Sequence, residues 1–251
     1  MKVNTILLTS GFALLAGLPT ISSAQGGKFA SLYGAPSAVP VPSGSSYVAL
    51  SFANPRGGID GQDLDADMSL GYSMGNPITG VGVTLGMDIT GLEPFGDAGS
   101  FSIQASRMIA MSDTSVTFGA LAYSGFGAWG EQRGSEKASG YITNFGTFDI
   151  GQSSTPYLVT VGYGEANTYA DDGSGTLDDG IFWGVGMGLN DYFSASVTGT
   201  TTQVNAGLSV KVPGIDNLSI SAGYMDIGND VARRQATLTI GYNLTDLFGG
   251  S

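Results

Sequence analysis

Between residues 180 and 226 the chain alternates apolar and small residues with a period of two. Ile181, Trp183, Val185, Met187 and Leu189 fall on one face, and Phe182, Gly184, Gly186 and Gly188 on the other. Val204, Ala206, Leu208, Val210 and Val212 oppose Asn205, Gly207, Ser209 and Lys211 in the same way. A two-residue period is that of a β-strand, whose side chains point alternately to its two faces. A soluble sheet would carry Lys, Glu, Arg and Thr on its second face, yet here that face is almost all Gly, Ser, Thr and Asn. Apolar side chains outward and small polar ones inward describe a sheet closed into a barrel within lipid, where an open edge is not tolerated.

The pattern recurs along the chain. Strands are expected over residues 46–53, 66–74, 79–90, 100–109, 114–124, 140–150, 157–164, 180–189, 192–198, 203–212, 218–226 and 235–244. The alternation is cleanest at 79–90, where Val81, Val83, Leu85, Met87 and Ile89 oppose Gly80, Gly82, Thr84, Gly86 and Asp88. In 140–150 aromatic residues occupy both phases, so its faces stay unassigned. These segments predict an all-β fold, an antiparallel transmembrane β-barrel of about 12 strands spanning residues 46–251. Short turns near 76, 112, 153, 190 and 214 alternate with connections near 59, 95, 132, 172, 201 and 230. Most of the second set are longer, as expected of the extracellular side; 200–202 is the exception. Tyr47, Phe101, Tyr123, Tyr163, Tyr192, Tyr224 and Tyr242 sit near strand ends, where interfacial aromatic girdles would lie.

Residues 1–24 combine Lys2, an apolar run from Ile6 to Leu18 and a small-residue site at Ser22-Ser23-Ala24, which describes a cleaved signal peptide. Removing it takes Lys2 away and shifts the formal charge from -12 to -13. So acidic a chain has no basic face for phosphates, which excludes a nucleic-acid partner. There is no Cys, which excludes a lipoprotein anchor, thiolate metal sites and disulfides. Residues 25–45 carry Pro36, Pro40 and Pro42 without periodicity, and are expected to be a periplasmic lead-in or a plug.

On these strands, the chain resembles the porin-like outer-membrane β-barrel proteins of Gram-negative bacteria. The resemblance covers residues 46–244 and rests on pattern, and the chain departs from it by ending Phe248-Gly249-Gly250-Ser251 rather than on an aromatic residue. It implies an outer-membrane location, with outer-membrane lipid and lipopolysaccharide as surroundings. Enzymes of such barrels resemble one another in using a catalytic His. This chain has no His at all, so its hydroxyls lack that base, and no carboxylate pair stands out for hydrolysis. A non-enzymatic protein is expected.

Candidate sites follow from the inward face. Asp88, Gln104, Asn205 and Lys211 are its functional candidates, alongside many small positions such as Ser102, Thr117 and Gly119. About twelve strands enclose more space than eight, which side chains just fill. A passive channel for small polar solutes is therefore expected, unless residues 25–45 or a loop block it. A closed structural or adhesive barrel whose acidic extracellular loops bind a partner or surface lipid, and a secreted soluble β-protein, are the alternatives. Trp129, Arg133, Arg233 and Arg234 are candidates for extracellular loop contacts. Asp60, Asp63 and Asp65, and Asp171, Asp172, Asp178 and Asp179, could supply oxygen ligands to a weakly bound divalent cation of calcium type. Neither stretch has EF-hand spacing, and solvated loops explain both more simply. No other cofactor is expected.

Overall fold

The computed structural model describes residues 28–54, 65–92, 95–151, 153–169, 177–215, 217–231 and 234–244. The strands are β1 (Ser46–Ala53), β2 (Asp65–Gly75), β3 (Gly82–Leu92), β4 (Phe95–Met111), β5 (Ser115–Trp129), β6 (Lys137–Ile150), β7 (Ser153–Tyr169), β8 (Leu177–Gly188), β9 (Phe193–Thr200), β10 (Val204–Lys211), β11 (Leu218–Met225) and β12 (Gln235–Leu244). Each pairs antiparallel with its sequence neighbours, and β1 closes on β12 from Ser46 opposite Leu244 to Ala53 opposite Thr237. The result is a closed barrel of twelve strands with no free edge. Closure satisfies the backbone hydrogen bonds within the wall, which a membrane-spanning sheet requires.

The outer face is apolar. Leu121 is 71% exposed, and Ile142, Val161, Ile181, Leu208 and Tyr163 are exposed with it. Water would not support so continuous an apolar surface, whereas lipid does. The inner face is hydroxyl-rich and pairs across strands: Ser51 with Thr239 at 2.9 Å, Ser73 with Thr84 at 2.9 Å, Thr143 with Thr160 at 2.9 Å, and Ser209 with Ser221 at 2.8 Å.

β4 to β8 run further than their alternation predicts. Residues 125–129 and 137–139, expected as loop, continue β5 and begin β6. Gly125 and Gly127 take left-handed φ values of 81° and 58°, and these irregular residues hide the two-residue period in the sequence. Residues 1–27, with the expected signal peptide, lie outside the described residues.

The face of β5 is the reverse of the expected one. Phe118, Ala120 and Ala122 point inward and are buried, so Thr117 and Gly119 belong to the outer face. Asn144 donates to Thr117 Oγ1 at 2.8 Å and accepts from the Tyr157 hydroxyl at 2.8 Å, so these outward polar groups satisfy one another. β6, unassigned by sequence, turns Tyr141, Thr143 and Phe145 inward and Ile142 outward. The physical reason is inside the barrel: at this level the lumen holds an apolar cluster. Ala30, Leu32, Ala38 and Val39 pack there with Phe118, Tyr141, Leu158 and Phe182.

Candidate functional site

The candidate site is the lumen and the N-terminal segment that occupies it. Residues 28–45 enter at the turn end, where Lys28 Nζ donates to Ser153 Oγ at 2.5 Å. The chain then runs extended along β9. The Ser31 amide donates to Ser194 Oγ at 3.0 Å and the Tyr33 amide to Ser196 Oγ at 3.0 Å, while Thr198 Oγ1 donates to the Tyr33 carbonyl at 2.6 Å. Alternate residues of the segment thus meet alternate inward residues of the strand, which is the match two extended chains make. Near its far point Gln104 Nε2 donates to the Ser37 carbonyl at 3.3 Å and the Ala38 amide donates to Thr143 Oγ1 at 2.8 Å. The chain returns to the turn end, where the Gly44 amide donates to the Ser73 carbonyl at 2.8 Å. An irregular backbone is tolerable inside a barrel because wall side chains take over its hydrogen bonds.

The glycines of the wall make room for this segment. A Cβ at Gly186 would lie 1.9 Å from the Ser31 carbonyl oxygen, and one at Gly188 2.7 Å from that of Phe29. Tyr33 lies over Gly207 and Gly223, each of which would bring a Cβ within 2.4 Å of it. Its hydroxyl hydrogen-bonds Thr237 Oγ1 on β12. Burial pushes the Tyr33 phenol up to about 12, against the smaller downward pull of that hydrogen bond. On β1 and β2, next to β12 in the barrel, the wall fills itself: the Tyr47 ring lies over Gly71 and is buried, a departure from its expected place in a girdle. Ser69, Ser102, Thr198, Ser209 and Ser219 are all inward and all buried. Thr198 is covered by the inserted segment, whose Tyr33 carbonyl it bonds, and the Tyr47 hydroxyl lies beside Gly86 at the level of Ser102.

Asp88 accepts a hydrogen bond from Ser69 and interacts electrostatically with Lys137 of β6. Gln104 is buried and accepts from the Tyr141 hydroxyl at 2.8 Å. Asn205 is buried and its Oδ1 accepts from the Asp226 amide at 3.0 Å, which fixes the left-handed residue that begins the β11–β12 connection. Lys211 Nζ lies 4.6 Å from the centre of the Phe29 ring, a cation–π contact with the inserted segment. These four residues share the inner face but occupy separate parts of it.

Trp129 is not a loop residue. It ends β5, covers Gly99, donates to the Gly96 carbonyl at 2.9 Å and packs against Phe101 with ring centres 5.8 Å apart. A side chain so engaged is part of the wall. Arg133 is exposed after a short 3-10 turn, and Arg234 is exposed and donates to the Ile227 carbonyl at 3.1 Å. Arg233, Asp60, Asp63, Asp171 and Asp172 lie outside the described residues. Asp65 pairs with Ala53 in the sheet, and Asp178 and Asp179 stand on β8 rather than on a turning loop. Among the described residues no group of three or more acidic side chains is placed to hold a metal ion.

Two inward residues had no sequence signal that placed them. Lys137 sat in an expected loop, and Asn167, buried in the irregular part of β7, donates to the Gly180 carbonyl at 2.7 Å while its Oδ1 has no partner. Phasing β6 from Tyr141 would have placed Lys137.

Among solved structures, one of the NanC porin aligns with a TM-score of 0.51 at 10% identity, covering 80% of this chain and 100% of that one. The chain has the barrel fold of that porin. The KdgM porin aligns at 0.49 with 8% identity over 79% of this chain and 98% of its own, and the Acinetobacter baumannii outer-membrane protein Omp33 at 0.47 with 6% identity over 80% and 97%. No protein-family model matches the chain, and no curated protein matches it.

Proposed function

We propose that this protein is a non-enzymatic outer-membrane barrel of porin type, stoppered by its own N-terminal segment, which passes small polar solutes when that segment withdraws. Residues 1–24 direct export and are removed, and residues 28–45 insert into the lumen from the periplasmic mouth. The observation that carries the reading is the seat of Tyr33 on Gly207 and Gly223. A wall meant only to be closed could be filled by its own side chains, as Tyr47 does elsewhere. Instead this part of the wall is pared to glycine, and a separate strand of chain lies on it through hydroxyl contacts that water can replace. Withdrawal would leave a twelve-stranded barrel with a small, polar inner face on β8 to β12, a surface suited to hydrated solutes.

The second reading is a permanently closed structural barrel. It is favoured by the apolar cluster that joins Leu32, Ala38 and Val39 to Phe118 and Phe182, which resists withdrawal. Planar-bilayer conductance separates the two. The chain has no Cys, so Ser31→Cys with Ser194→Cys introduces one disulfide at a pair of hydroxyls 3.0 Å apart. The oxidised protein is expected to be silent, and the reduced protein to show discrete openings. A chain lacking residues 28–43 is expected to conduct continuously. Silence of that shortened barrel, inserted and boiling-sensitive on a gel, would establish the closed barrel instead.

A further inference from the structure

Of the nine Lys and Arg residues in the chain, Arg107 is, among the described residues, the one cation on the outer face of a strand. It lies on β4 between inward Ser106 and Met108, opposite Gly119 of β5, and it is exposed. Nothing among the described residues pairs with its guanidinium. Beside it lies an apolar groove of about 710 Å³, floored at Gly119 and Gly140 and flanked by Leu121, Ile142 and Val161. Side chains are missing from that floor, so the groove is a feature of the wall between β4 and β7.

A bare guanidinium in hydrocarbon is costly, and the cost falls toward the interface. Met111 ends β4 at the turn end, and four residues of a tilted strand put Arg107 roughly 10 Å inside it. That depth is within reach of lipid headgroups for a long, snorkelling side chain. Its planar fork matches a phosphate, which it binds through two parallel hydrogen bonds. A second copy of the chain offers no such partner at this depth. In the half of the wall nearer the turns, the outward strand positions among the described residues carry no acidic side chain; Asp113 and Asp191 lie in the turns themselves.

We propose that Arg107 and the adjoining groove seat a glycerophospholipid from the leaflet at the turn end, with its phosphate on the guanidinium and an acyl chain along Gly119 and Gly140. The seat is on the outside of the barrel and is independent of whether the lumen opens. Its test is native mass spectrometry of the full chain, refolded in detergent and titrated with phosphatidylglycerol. The wild type is expected to retain one lipid that Arg107→Gln holds about tenfold more weakly or worse, since a charge-assisted contact is lost. Gly119→Leu, which fills the floor and leaves the charge, is expected to weaken retention too, and Arg133→Gln to leave it unchanged. All variants must keep the gel shift on boiling that marks the folded barrel. Equal retention by wild type and Arg107→Gln would overturn the proposal. So would a wild-type dimer that Arg107→Gln breaks without altering lipid binding, because it would make the groove a contact between copies.

Discussion

Replacing Gly207 by alanine separates the stability of the wall from the docking of the segment inside it. A Cβ at this position would lie 2.4 Å from the Cβ of Tyr33, the root of that side chain rather than its mobile end. Tyr33 cannot swing clear, because its amide and carbonyl are both bonded to β9 and its hydroxyl to Thr237. Relief therefore requires the backbone around Tyr33 to lift. Overpacking of this kind costs about 1–3 kcal/mol, equivalent to a shift of about 5- to 150-fold in the docked population. The barrel itself moves the other way: alanine is better tolerated than glycine within a strand by roughly 0.5–1 kcal/mol.

Chymotrypsin reads the docked population. Phe29, Leu32 and Tyr33 are its sites in the segment, and they are buried while the segment is seated. Cleavage follows the open population when opening is fast compared with the protease. Gly207→Ala is expected to speed cleavage after Tyr33 by about 5- to 150-fold while the barrel keeps its gel shift on boiling. Unchanged cleavage in a folded Gly207→Ala barrel would refute the seating of Tyr33 on this wall.

Thr143→Val removes the acceptor of the buried Ala38 amide, and an orphaned buried donor costs about 1–3 kcal/mol; amide exchange at Ala38 is expected to quicken by about 5- to 150-fold, measured by hydrogen–deuterium exchange. Docking is also expected to depend on alkaline pH. A released Tyr33 ionises near the ordinary phenol value of 10.0 and a docked one near 12, so the docked state holds the proton more tightly. Its contribution is intact below about pH 10 and is lost as pH rises toward 12. Chymotryptic sensitivity after a brief alkaline pulse, compared between wild type and Tyr33→Phe, checks this, since the phenylalanine variant lacks the ionisable group.

Much of the wall was legible because a membrane barrel imposes one rule on every strand. β1 and β12 begin and end at the residues their alternation indicates, and the inward positions of Asp88, Gln104, Asn205 and Lys211 follow from phase alone. The rule failed where the interior stops being polar. Thr117 and Gly119 are expected inward because they are small, but Phe118 takes the inward place to pack on residues 30–39. The segment itself was illegible as structure. It has no period, it forms no strand, and the wall side chains that hydrogen-bond it lie 67 to 204 positions away on β4, β6, β7, β9 and β12. Pro36, Pro40 and Pro42 signal only that it is irregular. Trp129 was misplaced for a related reason, since left-handed glycines interrupt the alternation just before it.

A glycine-lined inner face has two explanations that sequence cannot separate: room for solute, or room for chain. They make opposite demands on Gly186. Its Cβ would meet the Ser31 carbonyl oxygen at 1.9 Å, so in the full chain Gly186→Ala must displace the segment or the wall. In a chain lacking residues 28–43 that oxygen is gone, and alanine should gain the roughly 0.5–1 kcal/mol that glycine forfeits within a strand. The effect of one substitution is therefore expected to change sign with the presence of the segment. Gly71→Ala is the control, because its Cβ would strike the Tyr47 ring at 2.2 Å whether or not the segment is there. Urea unfolding in lipid vesicles of the four Gly186 combinations measures the coupling directly. A loss of stability from Gly186→Ala that is equal in both chains would mean that the wall is small for its own packing, and that the segment merely fills a space the barrel already had.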